Sequence, residues 1–183
     1  MLCRRTSPAK TDRAAESRET TEKRRDATWV TASPHWFSPG RRLYGFHKRS
    51  GDWVQGRDIP TLARRFHECV GVEPGTLVPL YIVSRNYTAA DRAFTLFVGD
   101  DGSNRGLEQE ILPAGTYAHL ELRPRSSLLW GLSVGRAKRW FYTRWLPESG
   151  YEAADITYEL HTQKSMGRHP AVDLLFAVKK KQA

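Results

Sequence analysis

The chain has 183 residues, 29 basic and 20 acidic side chains, and a formal net charge of +9. That length suits one sizeable domain or two small fused repeats. Cys3 and Cys69 have no zinc-type spacing and argue against a disulfide framework, and no apolar run is long enough to span a membrane.

Residues 1–28 are expected to form a disordered basic tail. Met1 to Ala27 hold eight Lys/Arg, five Asp/Glu and almost no large apolar side chain. Such a segment cannot bury enough surface to offset the entropy of ordering. It has no apolar core of a secretory signal and too many acids for a transit peptide, which fits a cytoplasmic protein. The other end carries Lys179, Lys180 and Lys181. Basic ends of this kind can hold nucleic acid or a regulatory protein, although no aromatic within them supports stacking on single strands.

From Trp29 onward the pattern reads as two similar units, about 29–106 and 107–183. The first runs strand Leu43 to Lys48, helix Asp58 to Val70, strand Leu77 to Ser84 and strand Ala93 to Gly99. Asp58 is placed to cap the helix, whose stripe is Ile59, Leu62, Phe66 and Cys69/Val70, and Gly71 suits its end. The second runs strand Thr116 to Leu122, helix Ser127 to Trp145, strand Asp155 to Thr162 and strand Ala171 to Lys179. Gly131 and Gly135 weaken the start of its helix, and Pro147 and Gly150 stop it.

The strands alternate with period two. Their aliphatic faces, among them Ala118/Leu120/Leu122, Phe94/Leu96/Val98 and Ile156/Tyr158/Leu160, are expected to pack under the helices. The opposite face then collects Tyr81, Phe97, Tyr117, His119, Glu159 and Phe46. A solvated face would be mostly Lys, Glu, Thr and Ser; this one is aromatic around one carboxylate, as a pocket for an apolar or cationic molecule requires. Trp36 and Trp53 fall in loops that could rim such a pocket, while Trp140 and Trp145 share the stripe of the second helix and equally suit the core. No histidine pair or cysteine cluster has metal-ligand spacing, and no Gly-x-Ser-x-Gly motif occurs, so neither a metal nor another cofactor is expected.

"LPAGTYAHL" (Leu112 to Leu120), "RWLPESGYE" (Arg144 to Glu152) and "TYELH" (Thr157 to His161), followed by a terminal apolar strand, resemble the GyrI-like small-molecule-binding domains. These are related to the effector-binding domains of AraC-type and multidrug-sensing regulators. The resemblance is strongest over 107–178 and traceable over 29–106 through "YGFH" (Tyr44 to His47) and "FVGDD" (Phe97 to Asp101). It implies an α+β fold of tandem strand–helix–strand–strand repeats, one antiparallel sheet with helices on one face, and a central ligand cleft. It further implies that Glu159 faces lipophilic cationic small molecules. The tail leaves no pattern for a helix-turn-helix, and Leu122 to Gly135 replaces the short linker of relatives.

Two functions follow. The first is a stand-alone binding or sensing module for lipophilic cations, using Glu159, Tyr81, Phe97, Tyr117, His119, Trp36, Trp53, Trp140 and Trp145. The second is a hydrolase opening a strained electrophile, as some GyrI-like proteins do, with Glu159 as acid or base and His119 or Tyr117 assisting. Neither a monomer nor a dimer is indicated by the residues.

Overall fold

The structure, a computed structural model, describes residues 21–23, 27–73, 76, 79–102, 106–126 and 129–181, with side chains from Ser38 onward. In chain order its strands are β1 (Thr21–Lys23), β2 (Ala27–Ser38), β3 (Arg41–Gly51), β4 (Leu80–Thr88), β5 (Ala93–Asp100), β6 (Glu108–Leu112), β7 (Gly115–Pro124), β8 (Tyr151–His161) and β9 (Val172–Lys180). Helix α1 (Gln55–Val70) separates β3 from β4, and α2 (Trp130–Trp140) separates β7 from β8. The two expected strand–helix–strand–strand units are therefore β3-α1-β4-β5 and β7-α2-β8-β9. All strands join one antiparallel sheet, in the order β1-β2-β7-β9-β8-β4-β5-β3-β6.

That order bends the sheet. Strands β2 and β3 are six places apart, yet only Pro39 and Gly40 connect them. Strands β6 and β7 are also six places apart, and only Pro113 and Ala114 connect them. Six flat strand spacings amount to ~29 Å, whereas so short a link reaches about 11 Å. The sheet must curl until its ends meet. The two links do touch, since a Cβ added to Gly40 would lie 3.1 Å from the Ala114 nitrogen. The leading strand of each repeat thus lies against the other repeat: β2 on β7, and β6 on β3.

Curling gives the sheet an outside and an inside. The helices pack on the outside, α1 with Leu62 and Phe66 over Phe46, Ile82 and Leu96, and α2 with Val134 and Ala137 over Leu120, Leu174 and Phe176. The inside holds a separate cluster that includes Tyr81, Phe97, Tyr117, Ile156, Tyr158 and Leu175. Both halves of the expected helix-side and opposite-side sets are thus seen for β4, β5, β7 and β9. Strand β8 is inverted. Ile82 and Leu174 sit opposite Glu159, so Glu159 shares their outer, helix-covered side, and Ile156 and Tyr158 face inward. Phe46, also expected on the opposite side, lies under α1. Period two fixes which residues go together; only the register with neighbours fixes which side they take.

Other local expectations shift too. Helix α1 starts at Gln55, so Asp58 lies in its first turn instead of capping it. Its buried carboxylate accepts hydrogen bonds from Lys48 Nζ (2.7 Å) and Ser50 Oγ (2.9 Å) of β3, tying the helix to the sheet. Past α2 the helix continues as a π-helical turn, Phe141–Trp145, and a short turn, Leu146–Glu148, before Gly150. The start expected at Ser127 lies outside the described residues. So do 1–20 and 24–26 of the expected tail, whereas Thr21–Lys23 pairs with β2. Trp36 belongs to β2, where its backbone faces Tyr117, and not to a loop.

The edge strand β6 is stitched in by side chains. Glu108 and Glu110 contact the two ring nitrogens of His47 at 2.8 and 3.0 Å, and Arg85 Nη1 donates to buried Glu110 at 2.6 Å. Next to them β3 and β5 approach through a facing pair, Gly45 and Gly99. A Cβ at either would lie 2.1 Å from a carbonyl oxygen of the other strand. Backbone cannot yield as a flexible side chain can. Gly45→Ala and Gly99→Ala are each expected to cost at least about 2 kcal/mol in urea unfolding, whereas Gly56→Ala, which meets nothing within 4 Å and lies in α1, should be neutral or slightly stabilising.

Candidate ligand-binding site

A large cavity lies outside the curled sheet, over β4 and β8, between the start of α1 and the end of α2. Its volume is about 680 Å³, within the range of small-molecule sites. Phe94, Tyr87 and Tyr142 give it aromatic walls; Asp52 and Asp155 on one side of the charge balance, and Arg85, Lys138 and Arg139 on the other, give it charge. The two repeats meet here, because β4 and β8 are the central neighbours of the sheet.

Each wall is held in place. The Tyr87 hydroxyl donates to Asp52 at 3.2 Å, and Asp155 accepts the backbone N–H of Asn86 at 2.8 Å, fixing β8 to the end of β4. Asn86 has a positive φ of 56°, which turns that strand end toward Asp155. Tyr142 opens the π-helical turn and stands edge-on to Phe141 and Phe176, with centroids 5.1 and 5.8 Å away. Burial, and then the Asp155 carboxylate, push its hydroxyl up to about 12, so it remains a neutral donor.

Lys138 connects this cavity to the buried carboxylate beneath α2. Its Nζ lies 2.9 Å from Glu159 Oε1, and Glu159 is only 4% exposed. His161 Nε2 stands 3.5 Å from the other oxygen, held in place by Trp130, whose ring stacks on it at 5.3 Å. That nitrogen is buried and makes no hydrogen bond. Burial alone would push the Glu159 carboxyl up; the Lys138 charge and His161 outweigh it and hold the carboxyl down to about 2. Glu159 is therefore an ionised group in a dry place, compensated chiefly by one ammonium.

The residues expected to share a pocket are divided by the sheet. Tyr81, Phe97 and Tyr117 fill the inside, each at most 3% exposed. Tyr158 stands between Tyr81 and Tyr117, at 5.9 and 5.6 Å, and the Tyr117 hydroxyl donates to the Pro113 carbonyl at 2.9 Å. His119 lies near the inner mouth, 2.8 Å from Asp173, which Lys164 also contacts at 3.0 Å. The hollow there, beside Tyr81 and Tyr158, is only about 150 Å³. The inner rings thus pack as a core. Trp140 and Trp145 are half-buried against the outer core, Trp145 stacked on Phe141 at 5.1 Å. Trp53 is 82% exposed beneath the Arg92 guanidinium. The side chain of Trp36 lies outside the described residues. Of the eight expected residues whose side chains are described, Glu159 is the one joined to this cavity, through Lys138.

Sequence reasoning missed Tyr87, Phe94, Lys138, Tyr142 and Asp155. One signal was present: Lys138 and Tyr142 are four apart on a helix and so share a face. Among the described residues no group of three or more His, Cys, Asp and Glu is arranged to hold a metal ion, and no helix is long and apolar enough to cross a membrane.

No family model and no curated protein sequence matches the chain. Solved structures do. An integron cassette protein from the mobile metagenome of Vibrio cholerae aligns at TM-score 0.57 and 13% identity, over 85% of this chain and 97% of that one. SAV2435 bound to tetraphenylphosphonium aligns at 0.58 and 12%, over 79% and 92%. EcmrR, in a complex with DNA, aligns at 0.52 and 18%, over 85% of this chain but 57% of its own. At these identities the likeness speaks for the fold alone: the chain shares its α+β fold with these structures.

The Glu159 pair has a consequence for stability in acid. A carboxyl lowered from 4.5 to about 2 contributes stability that is fully present above about pH 4.5 and lost as pH falls toward about 2. The loss is of the order of 3 kcal/mol. Urea unfolding across this range is expected to show a steeper acid decline in the wild type than in Glu159→Gln.

Proposed function

We propose that this protein is a binding or sensing module for lipophilic cationic small molecules, which it takes into the cavity between α1 and α2. The observation that carries this reading is the site itself: an aromatic-walled space of about 680 Å³ joined through Lys138 to a buried, ionised glutamate. Aromatic faces attract organic cations, by about 0.5 to 2 kcal/mol per ring. A carboxylate in a low-dielectric setting offers a negative charge that water does not quench, paired in the empty cavity with Lys138. Asp52 and Asp155 line the same space, alongside the cationic Arg85, Lys138 and Arg139. A neighbour of the same fold holding tetraphenylphosphonium supports this choice of ligand class.

The state of Glu159 favours binding over acid–base chemistry on a strained electrophile. A carboxyl held down to about 2 carries no proton to donate near neutrality and is a weak base. Its charge is suited to attracting a cation.

Calorimetric titration of the whole chain with tetraphenylphosphonium tests the reading. Saturable binding of one ligand per chain is expected, and Tyr142→Ala should weaken it about tenfold. Glu159→Gln should weaken tetraphenylphosphonium but leave neutral triphenylphosphine oxide unchanged. Absence of saturable binding, or full affinity in Tyr142→Ala, would show that this cavity is not the receptor.

A further inference from the structure

The carboxylate that would attract a cation already has one. Lys138 reaches Glu159 from α2, along the cavity wall, with its side chain 23% exposed. Its ammonium makes the one hydrogen bond to Glu159 found among the described residues. The second carboxylate oxygen lies 3.5 Å from His161 Nε2, a buried nitrogen that makes no hydrogen bond among the described residues. Ile82 and Leu174 flank Glu159 across the strands, so no water-rich surface shares the charge. The pair is buried enough that neither partner can be left alone cheaply. It is also sparse enough that one group can be exchanged for another of the same sign.

We propose that Lys138 is a resident counterion that sets the specificity of the cavity: a lipophilic monocation engages Glu159 by displacing the Lys138 ammonium. This deepens the reading of the cavity as a cation site and rests on it. In the empty protein Lys138 keeps Glu159 ionised and paired. An arriving cation has to provide what Lys138 provided, a positive charge against the same carboxylate, together with contacts of its own apolar groups to the Phe94, Tyr87 and Tyr142 rings. Small hydrated cations lack those contacts and cannot compete. Neutral ligands of the same shape leave the pair intact and occupy the cavity alongside it. A bulky cation and the Lys138 ammonium compete for the one negative charge of Glu159, so affinity for a cation is what remains after Lys138 has been displaced. Lys138 is thus a specificity-determining residue that lowers affinity and raises selectivity.

The test compares tetraphenylphosphonium with tetraphenylborate, which has the same shape and the opposite charge, by calorimetry on four proteins. Lys138→Gln keeps a hydrogen-bond donor beside Glu159 but removes the competing charge. It is expected to raise tetraphenylphosphonium affinity tenfold or more and to lower tetraphenylborate affinity. Adding Glu159→Gln to it should erase the gain, and Lys138→Arg should stay within about threefold of the wild type. Should Lys138→Gln not fold, the wild-type side chain gives the answer. NMR of the protein with 13C-dimethylated lysines, which keep their charge, should show the Lys138 signal move to the position of solvent-exposed lysines as tetraphenylphosphonium is added. Unchanged affinity in Lys138→Gln, or a Lys138 signal that stays put at saturation, overturns the proposal while cation binding stands. Tetraphenylphosphonium binding to none of the proteins overturns the cation site and the proposal together.

Discussion

Two links of two residues each set the shape of this protein. Pro39–Gly40 and Pro113–Ala114 each join strands that stand six places apart in the sheet. No flat arrangement satisfies both, so the sheet curls, and its two faces become unequal. The inner face is sealed by its own side chains, with Tyr117, Phe97 and Tyr158 close-packed. The outer face needs a cover, which the two amphipathic helices supply. Each helix covers its own repeat. The seam between them, over β4 and β8, is where coverage is thinnest and where the large cavity lies.

Glu159 sits under this seam, at a position where burial of a charge is costly. The fold meets that cost from both sides. Strand β8 carries His161 two residues on, and α2 extends Lys138 down to the carboxylate. The same helix then widens into a π-helical turn, which carries Tyr142 to the cavity wall while Phe141 stays fully buried on Phe176. A single stretch of helix therefore provides the counterion, a wall of the cavity and a plug for the core.

Much of this was legible in the residues. The stripe Ile59, Leu62, Phe66 marked the inner side of α1, and alternation in β4, β5, β7 and β9 sorted their side chains correctly. Strand β8 misled because both of its faces are buried and each holds something plausible, Tyr158 on one and Glu159 on the other. Hydropathy then has no preferred side, and the answer lies in long-range pairing with Ile82 and Leu174. The inner rings misled for a related reason: aromatic residues that wall a pocket and aromatic residues that fill a core have the same composition. Glu159 was singled out correctly as buried, but its partner was not. Lys138 lies twenty-one positions away on a helix, and nothing in local spacing indicates that its ammonium turns down toward the sheet. The strands β2 and β6 escaped notice because each owes its place to a neighbour in the other repeat.

That exchange of leading strands reaches beyond the present molecule. With β2 lying on β7 and β6 on β3, neither half owns a complete set of borders. A polypeptide holding a single such half would be left with one bare margin and one orphaned ribbon, and could satisfy both only by embracing a second copy of itself. The tandem chain amounts to that embrace made permanent, with a covalent tether standing in for association between separate molecules.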